Sequence, residues 1–109
     1  MTEPVRTRLP DRRLTITDDV AFRHQKYPIS VSHDAKGRPL EVFASAKAKG
    51  SDVDSWLVDC GILLSLALQY GVPLAALAES LGVSRPDDEP ISLLGAVVQK
   101  INHEVLFDG

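Results

Sequence analysis

A single cysteine, Cys60, rules out an internal disulfide and suits a reducing compartment. The opening residues, MTEPVRTRLPDRR, hold no apolar run of the kind a secretory leader requires, so a cytoplasmic protein is expected. No apolar stretch is long enough to cross a bilayer: the longest candidate, SDVDSWLVDCGILLSLALQY, is interrupted by Asp54, Asp59 and Gln69. An excess of positive charge is missing too. A net charge of −3 and a pI near 5.5 give little ground for a cationic surface that would bind nucleic-acid phosphates. Chemical signatures are missing as well: there is no P-loop, no G-x-G-x-x-G and no G-x-S-x-G. His24, His33 and His103 are scattered, with no cysteine or carboxylate at ligand spacing, whereas a zinc site needs about four convergent ligands. No catalytic residue, metal or cofactor is expected. Repeats and low-complexity segments are absent.

What is present is an ordinary globular composition, 44% hydrophobic and 25% charged over 109 residues, which points to one domain. The organising stretch is Ser51 to Tyr70. Val53, Trp56, Leu57, Cys60, Leu63, Leu64, Ala67 and Tyr70 recur at helical spacing, and this face is expected in the core. Ser51 reads as the N-cap, Asp52 and Asp54 suit the positive end of the helix dipole, and Gly71 ends the helix. Cys60, on the apolar face, is expected to be a buried structural thiol.

Before this helix the period changes to two. Residues 1–12, with Arg6, Arg8 and Arg12, read as a flexible arm that could dock an acidic partner, followed by one domain over 13–109. Leu14 and Ile16, then Val20 and Phe22 beyond a turn at Asp18-Asp19, fall on alternate positions. Ile29, Val31 and His33 form the inner face of a half-buried strand, and Asp34 to Gly37 reads as a hairpin turn. Leu40, Val42 and Ala44 share a face of the returning strand, Pro39 to Ala46. After the long helix, Pro73 opens a short helix over Leu74 to Leu81, and a third runs from about Ile91 to Leu106 with Ile91, Leu94, Val97, Val98, Ile101 and Val105 buried. The expected fold is α+β: a three-stranded antiparallel sheet packed on a long central helix, followed by two further helices.

Two segments carry functional possibilities. Lys47, Lys49, Gly50 and Ser51 put two cations and a glycine before the free amides of a long helix, the layout of an anion site for a nucleotide or phosphate. Leu74 to Arg85, LAALAESLGVSR, has the look of the first half of a helix-turn-helix, yet the acidic, proline-broken Pro86 to Pro90 follows where a recognition helix belongs.

Taken together, Gly37 to Phe43 (GRPLEVF), Lys49-Gly50-Ser51 and Leu64 to Leu74 (LSLALQYGVPL) resemble the TSCPD domain, typically found at the C-terminus of vitamin B12-dependent ribonucleotide reductases and as small stand-alone proteins. The resemblance covers Leu14 to Leu81, and more loosely the rest. The motif that names the family falls near Val83 to Asp87, with Ser84, Pro86 and Asp87 matching and Arg85 in place of its cysteine. The chain has neither the reductase's catalytic barrel nor its cofactor-binding portion, and no family catalytic residue carries over. The resemblance implies a non-catalytic module that binds another protein, with a nucleotide or phosphate as a further ligand. The alternative is a DNA-associated regulator using segment 74–85. The helix over 51–70 has more apolar faces than one small sheet can cover, so a homodimer is expected, with Leu66, Leu68 or Val98 left at the surface.

Overall fold

The computed structural model describes residues 5–7 and 14–103. Its elements are β1 (Leu14–Phe22), β2 (Gln25–His33), β3 (Pro39–Ala44), α1 (Asp52–Gln69), α2 (Leu74–Ser80) and α3 (Leu93–His103). The strands form one antiparallel sheet in the order β1-β2-β3. This is the expected α+β architecture. Of the expected arm over 1–12, only Val5 to Thr7 are among the described residues. There the Thr7 amide donates to Gln69 O at 2.7 Å, and Arg6 Nε donates to the Gln69 side chain.

The first hairpin departs from the sequence reading. Asp18 and Asp19 do not turn: β1 runs straight through them, pairing them with Ile29 and Pro28. The turn lies at Arg23 and His24, whose φ values of 48° and 67° place both in the left-handed region. A two-residue hairpin loop with positive φ at both positions matches the right-handed twist of its strands, and glycine or asparagine normally supplies it. Here non-glycine residues accept the strain, so the composition gave no sign of it. The second turn is where it was expected. The Asp34 carboxylate accepts from the Lys36 and Arg38 amides at 2.9 and 2.8 Å, and Arg38 Nε reaches it at 2.7 Å.

Alternation along the strands sends Val20, Ile29, Val31, Leu40, Val42 and Ala44 inward, as burial of one sheet face requires. α3 packs over β1, and α2 packs on α3. Ala96, Val97, Val98 and Ile101 of α3 are all buried, and none of its eleven residues is fully exposed. α3 is therefore the most enclosed helix. Ile91, expected in its buried stripe, lies before its first turn and is 84% exposed. Ser92 caps the helix instead, its hydroxyl accepting from the Gly95 amide at 3.0 Å.

α1 is turned differently from the expectation. Its buried residues are Asp54, Leu57, Gly61, Leu64, Ser65, Leu68 and Gln69. Val53, Trp56, Leu63 and Tyr70, expected in the core, are exposed. The cause is its position: α1 packs against β3, the edge strand, whose outward backbone groups need polar partners. The Val42 amide donates to Ser65 Oγ at 2.8 Å, and the Ser65 hydroxyl in turn lies 3.1 Å from Val42 O and 2.7 Å from Gly61 O. Gln69 Nε2 donates to Leu40 O at 2.9 Å, and Asp54 Oδ1 accepts from the Ala46 amide at 2.8 Å. Of Leu66, Leu68 or Val98, one of which was expected to be left at the surface, Leu68 and Val98 are buried, as the stripe of α3 requires for Val98, and Leu66 is half-buried. Gly71, at φ 96°, closes the helix with its amide on Leu68 O and that of Val72 on Ala67 O.

Gly61 sets the distance between helix and strand. A Cβ built there would lie 2.9 Å from Val42 O, a backbone atom with no freedom to step aside. Gly61→Ala is accordingly expected to destabilise the protein by roughly 1–3 kcal/mol, as overpacking does. At an exposed helical site the same change stabilises by roughly 0.5–1 kcal/mol, so the sign alone tests the contact. Urea unfolding should show a lower midpoint at unchanged slope; a higher midpoint would mean the helix stands further from β3.

Candidate functional site: the start and outer face of α1

The loop before α1 is closed by the chain's own carboxylate. Ser51 caps the helix, its Oγ accepting from the Asp54 amide at 3.2 Å. Asp54 reaches back, taking the Ala46 amide on Oδ1 at 2.8 Å and the Gly50 amide on Oδ2 at 3.0 Å. Lys49 Nζ lies 4.0 Å from the same carboxylate. These amides, Ala46 first and then Gly50, hold the Asp54 carboxyl below its ordinary range, against the opposing effect of burial and with help from Lys49.

Of the residues singled out in the sequence, Lys47 and Ser51 line a surface cavity of about 560 Å³ with His24, Gln25, Lys26 and Tyr27. Lys49 and Gly50 are not in its wall; both are turned towards Asp54. His24 and Lys26 were not legible as site residues, because they reach this cavity through the unrecognised turn at Arg23 and His24.

A second feature lies on the outer side of α1. Val53, Trp56, Cys60, Leu63, Ala67 and Tyr70 follow each other at steps of three and four, and all are exposed or half-buried. Leu63 is the most open, at 67% exposure. Beside this row an apolar groove of about 290 Å³ runs between Cys60, Leu63 and Ala67 of α1, Leu77 and Leu81 of α2, and Leu94 of α3. Cys60 is thus half-buried at the lip of a groove, not sealed in the core as expected. Partial burial, with Asp59 adding to it, pushes its thiol up and keeps the thiolate scarce.

The segment after α2 is not a helix-turn-helix. From Gly82 to Ser92 the chain makes turns and bends, and the next helix, α3, is enclosed. Val83 is fully buried, and the turn after it is tied to α3: Gln99 Nε2 donates to Arg85 O and Asp88 O, at 3.1 and 2.5 Å. The Arg85 amide donates to Asp88 Oδ2 at 2.8 Å. Among the described residues no cluster of three or more His, Cys, Asp or Glu side chains could hold a metal ion, and no helix is long and apolar enough to cross a membrane.

The Asp54 arrangement makes a signed prediction. A carboxyl lowered on folding contributes stability above its unfolded value, about 3.9, and loses it as pH falls through the lowered folded value. Asp54→Asn should be less stable than the wild type at neutral pH, with the difference shrinking below about pH 4. Asp18 and Asp34 are also lowered, but they are common to both proteins and cancel in the comparison. Urea midpoints of the two proteins across this range check it; a constant difference would deny the carboxylate its role.

Among known proteins, the TSCPD domain family matches residues 3–104. The chain is 32% identical over 83 residues to a vitamin B12-dependent ribonucleotide reductase of Rhodopirellula baltica, covering 76% of this chain and 8% of the reductase. It is 30% identical over 80 residues to the corresponding reductase of Bradyrhizobium diazoefficiens, covering 73% of this chain and 6% of that one. The chain thus spans less than a tenth of the length of either relative. No solved structure matches it. With the family matched across all of the described residues, the chain belongs to the TSCPD domain family.

Proposed function

We propose that this TSCPD domain is a non-catalytic binding module that takes a protein partner on the outer face of α1. One observation carries the reading: the row Val53, Trp56, Cys60, Leu63, Ala67, Tyr70 is apolar, helically continuous and left uncovered by the rest of the fold. Contiguous apolar surface of this kind marks interaction sites. α1 carries Asp52, Asp54 and Asp59 and no basic residue, so the fitting partner is an apolar ridge flanked by basic groups. The similarity to vitamin B12-dependent reductases favours a partner in that machinery, and the single cysteine suits a cytoplasmic setting. A nucleotide or inorganic phosphate is the proposed second ligand, at Lys47, Lys49, Gly50 and Ser51, with Lys26 and His24 beside the cavity that Lys47 and Ser51 line. The DNA reading of segment 74–85 has no recognition helix after α2 to support it, since the chain makes turns and bends from Gly82 to Ser92, and it is not retained.

Trp56 is the protein's one tryptophan and is exposed on this surface, so its emission reports occupancy directly. Titration with a vitamin B12-dependent ribonucleotide reductase from the same organism is expected to shift that emission to the blue and saturate. Leu63→Asp, which alters an exposed position, should weaken binding by at least about tenfold, or 1.4 kcal/mol, with unchanged circular dichroism. No shift at tens of micromolar would sink this choice of partner. For the second ligand, nucleotides and phosphate are titrated against the amide signals of Gly50 to Val53. Movement that Lys47→Ala with Lys49→Ala abolishes supports the site; immobile signals dismiss it.

A further inference from the structure

The C-terminal end of α1 carries a partial negative charge that its own residues do not offset. The helix has acidic residues in its first turn and no basic one in its last. Its final carbonyls also need donors from outside the helix. The amides of Tyr70, Gly71 and Val72 take Leu66 O, Leu68 O and Ala67 O. Gln69 O is met instead by the Thr7 amide, at 2.7 Å. The Gln69 side chain, 3% exposed, is held at both ends: Nε2 donates to Leu40 O at 2.9 Å, and Oε1 accepts from Arg6 Nε. Arg6, 63 positions before Gln69 in the chain, thus brings the missing cation, and Thr7 beside it the missing donor.

Arg6 stands in the wall of a groove of about 600 Å³ between β3 and α1. Val58, Ile62 and Leu66, four apart on α1, line one side, and Phe43 of β3 lines the other. The charged residues of the lining are Arg6 and Glu41. Without Arg6 the groove presents the Glu41 carboxylate, the Gln69 side-chain oxygen and the negative end of the helix. That set fits a guanidinium, and Gln69 O fits a backbone N–H that follows it. Val5 is 83% exposed, so the segment is held by its arginine and its backbone, not by apolar burial.

We infer that this groove is a docking site for an extended, arginine-bearing segment, and that Val5 to Thr7 fill it in cis as a strap over the end of α1. Arg6, expected to serve an acidic partner, is engaged within the chain instead. A strap held by two hydrogen bonds opens without unfolding the domain. An arginine-bearing segment of another chain reaches the groove only while the strap is open.

Hydrogen exchange of the full chain is expected to show the Thr7 amide slowed at least about tenfold against an unstructured chain, equally at every protein concentration. Protection that falls on dilution puts the arm of a second copy in the groove and overturns docking in cis. Arg6→Ala, at an exposed position, should free the Thr7 amide and move the Gln69 side-chain amide signals, with unchanged circular dichroism. A synthetic peptide of residues 3–9, EPVRTRL, added to that variant at millimolar concentration should move those signals back. The same peptide carrying Arg6→Ala should not. The wild type, its groove filled, should bind the peptide at least about tenfold more weakly than the variant does. A wild-type Thr7 that exchanges freely, or Gln69 signals that Arg6→Ala leaves in place, overturns the inference. A peptide that restores nothing, or that binds both proteins equally, overturns it as well.

Discussion

The contact on which this fold turns is a helix laid against the backbone of an edge strand at Gly61. A strand edge is a row of donors and acceptors, and apolar side chains cannot cover it without leaving those groups unpaired at roughly 1–3 kcal/mol each. α1 solves this with Ser65 on Val42, Gln69 on Leu40 and Asp54 on Ala46, and it comes close enough to do so because position 61 has no side chain. Lose the close approach and the three polar side chains no longer reach. They would then be buried groups without partners, which is worse than an apolar interface.

This contact explains where sequence reasoning succeeded and where it failed. Alternation in β2 and β3, the Asp34 turn, the Ser51 cap and the Gly71 stop each follow from a local rule, and each was legible. The orientation of α1 was not. Two rows at three-four spacing run along it: Val53, Trp56, Cys60, Leu63 and, about a third of a turn away, Leu57, Gly61, Leu64, Leu68. Hydropathy favours the first, because the second is interleaved with Asp54, Ser65 and Gln69. Those polar residues face inward because they pair with backbone, a requirement that periodicity does not encode. The turn at Arg23 and His24 was hidden for a similar reason: neither residue carries the usual signature of positive φ, and the fold imposes it on them.

The same logic separates what the candidate site does for the fold from what is left for a ligand. Asp54 already takes the amides of Ala46 and Gly50, so the anion that the loop most directly holds is its own. Among the described residues, the basic side chains that face the neighbouring cavity are Lys47, Lys26 and His24. Likewise the segment that resembles the family's naming motif begins on the buried Val83, and Asp88, just after it, closes a turn on Arg85. What the match over residues 3–104 joins to the family is a scaffold in which this turn is tied to α3 through Gln99.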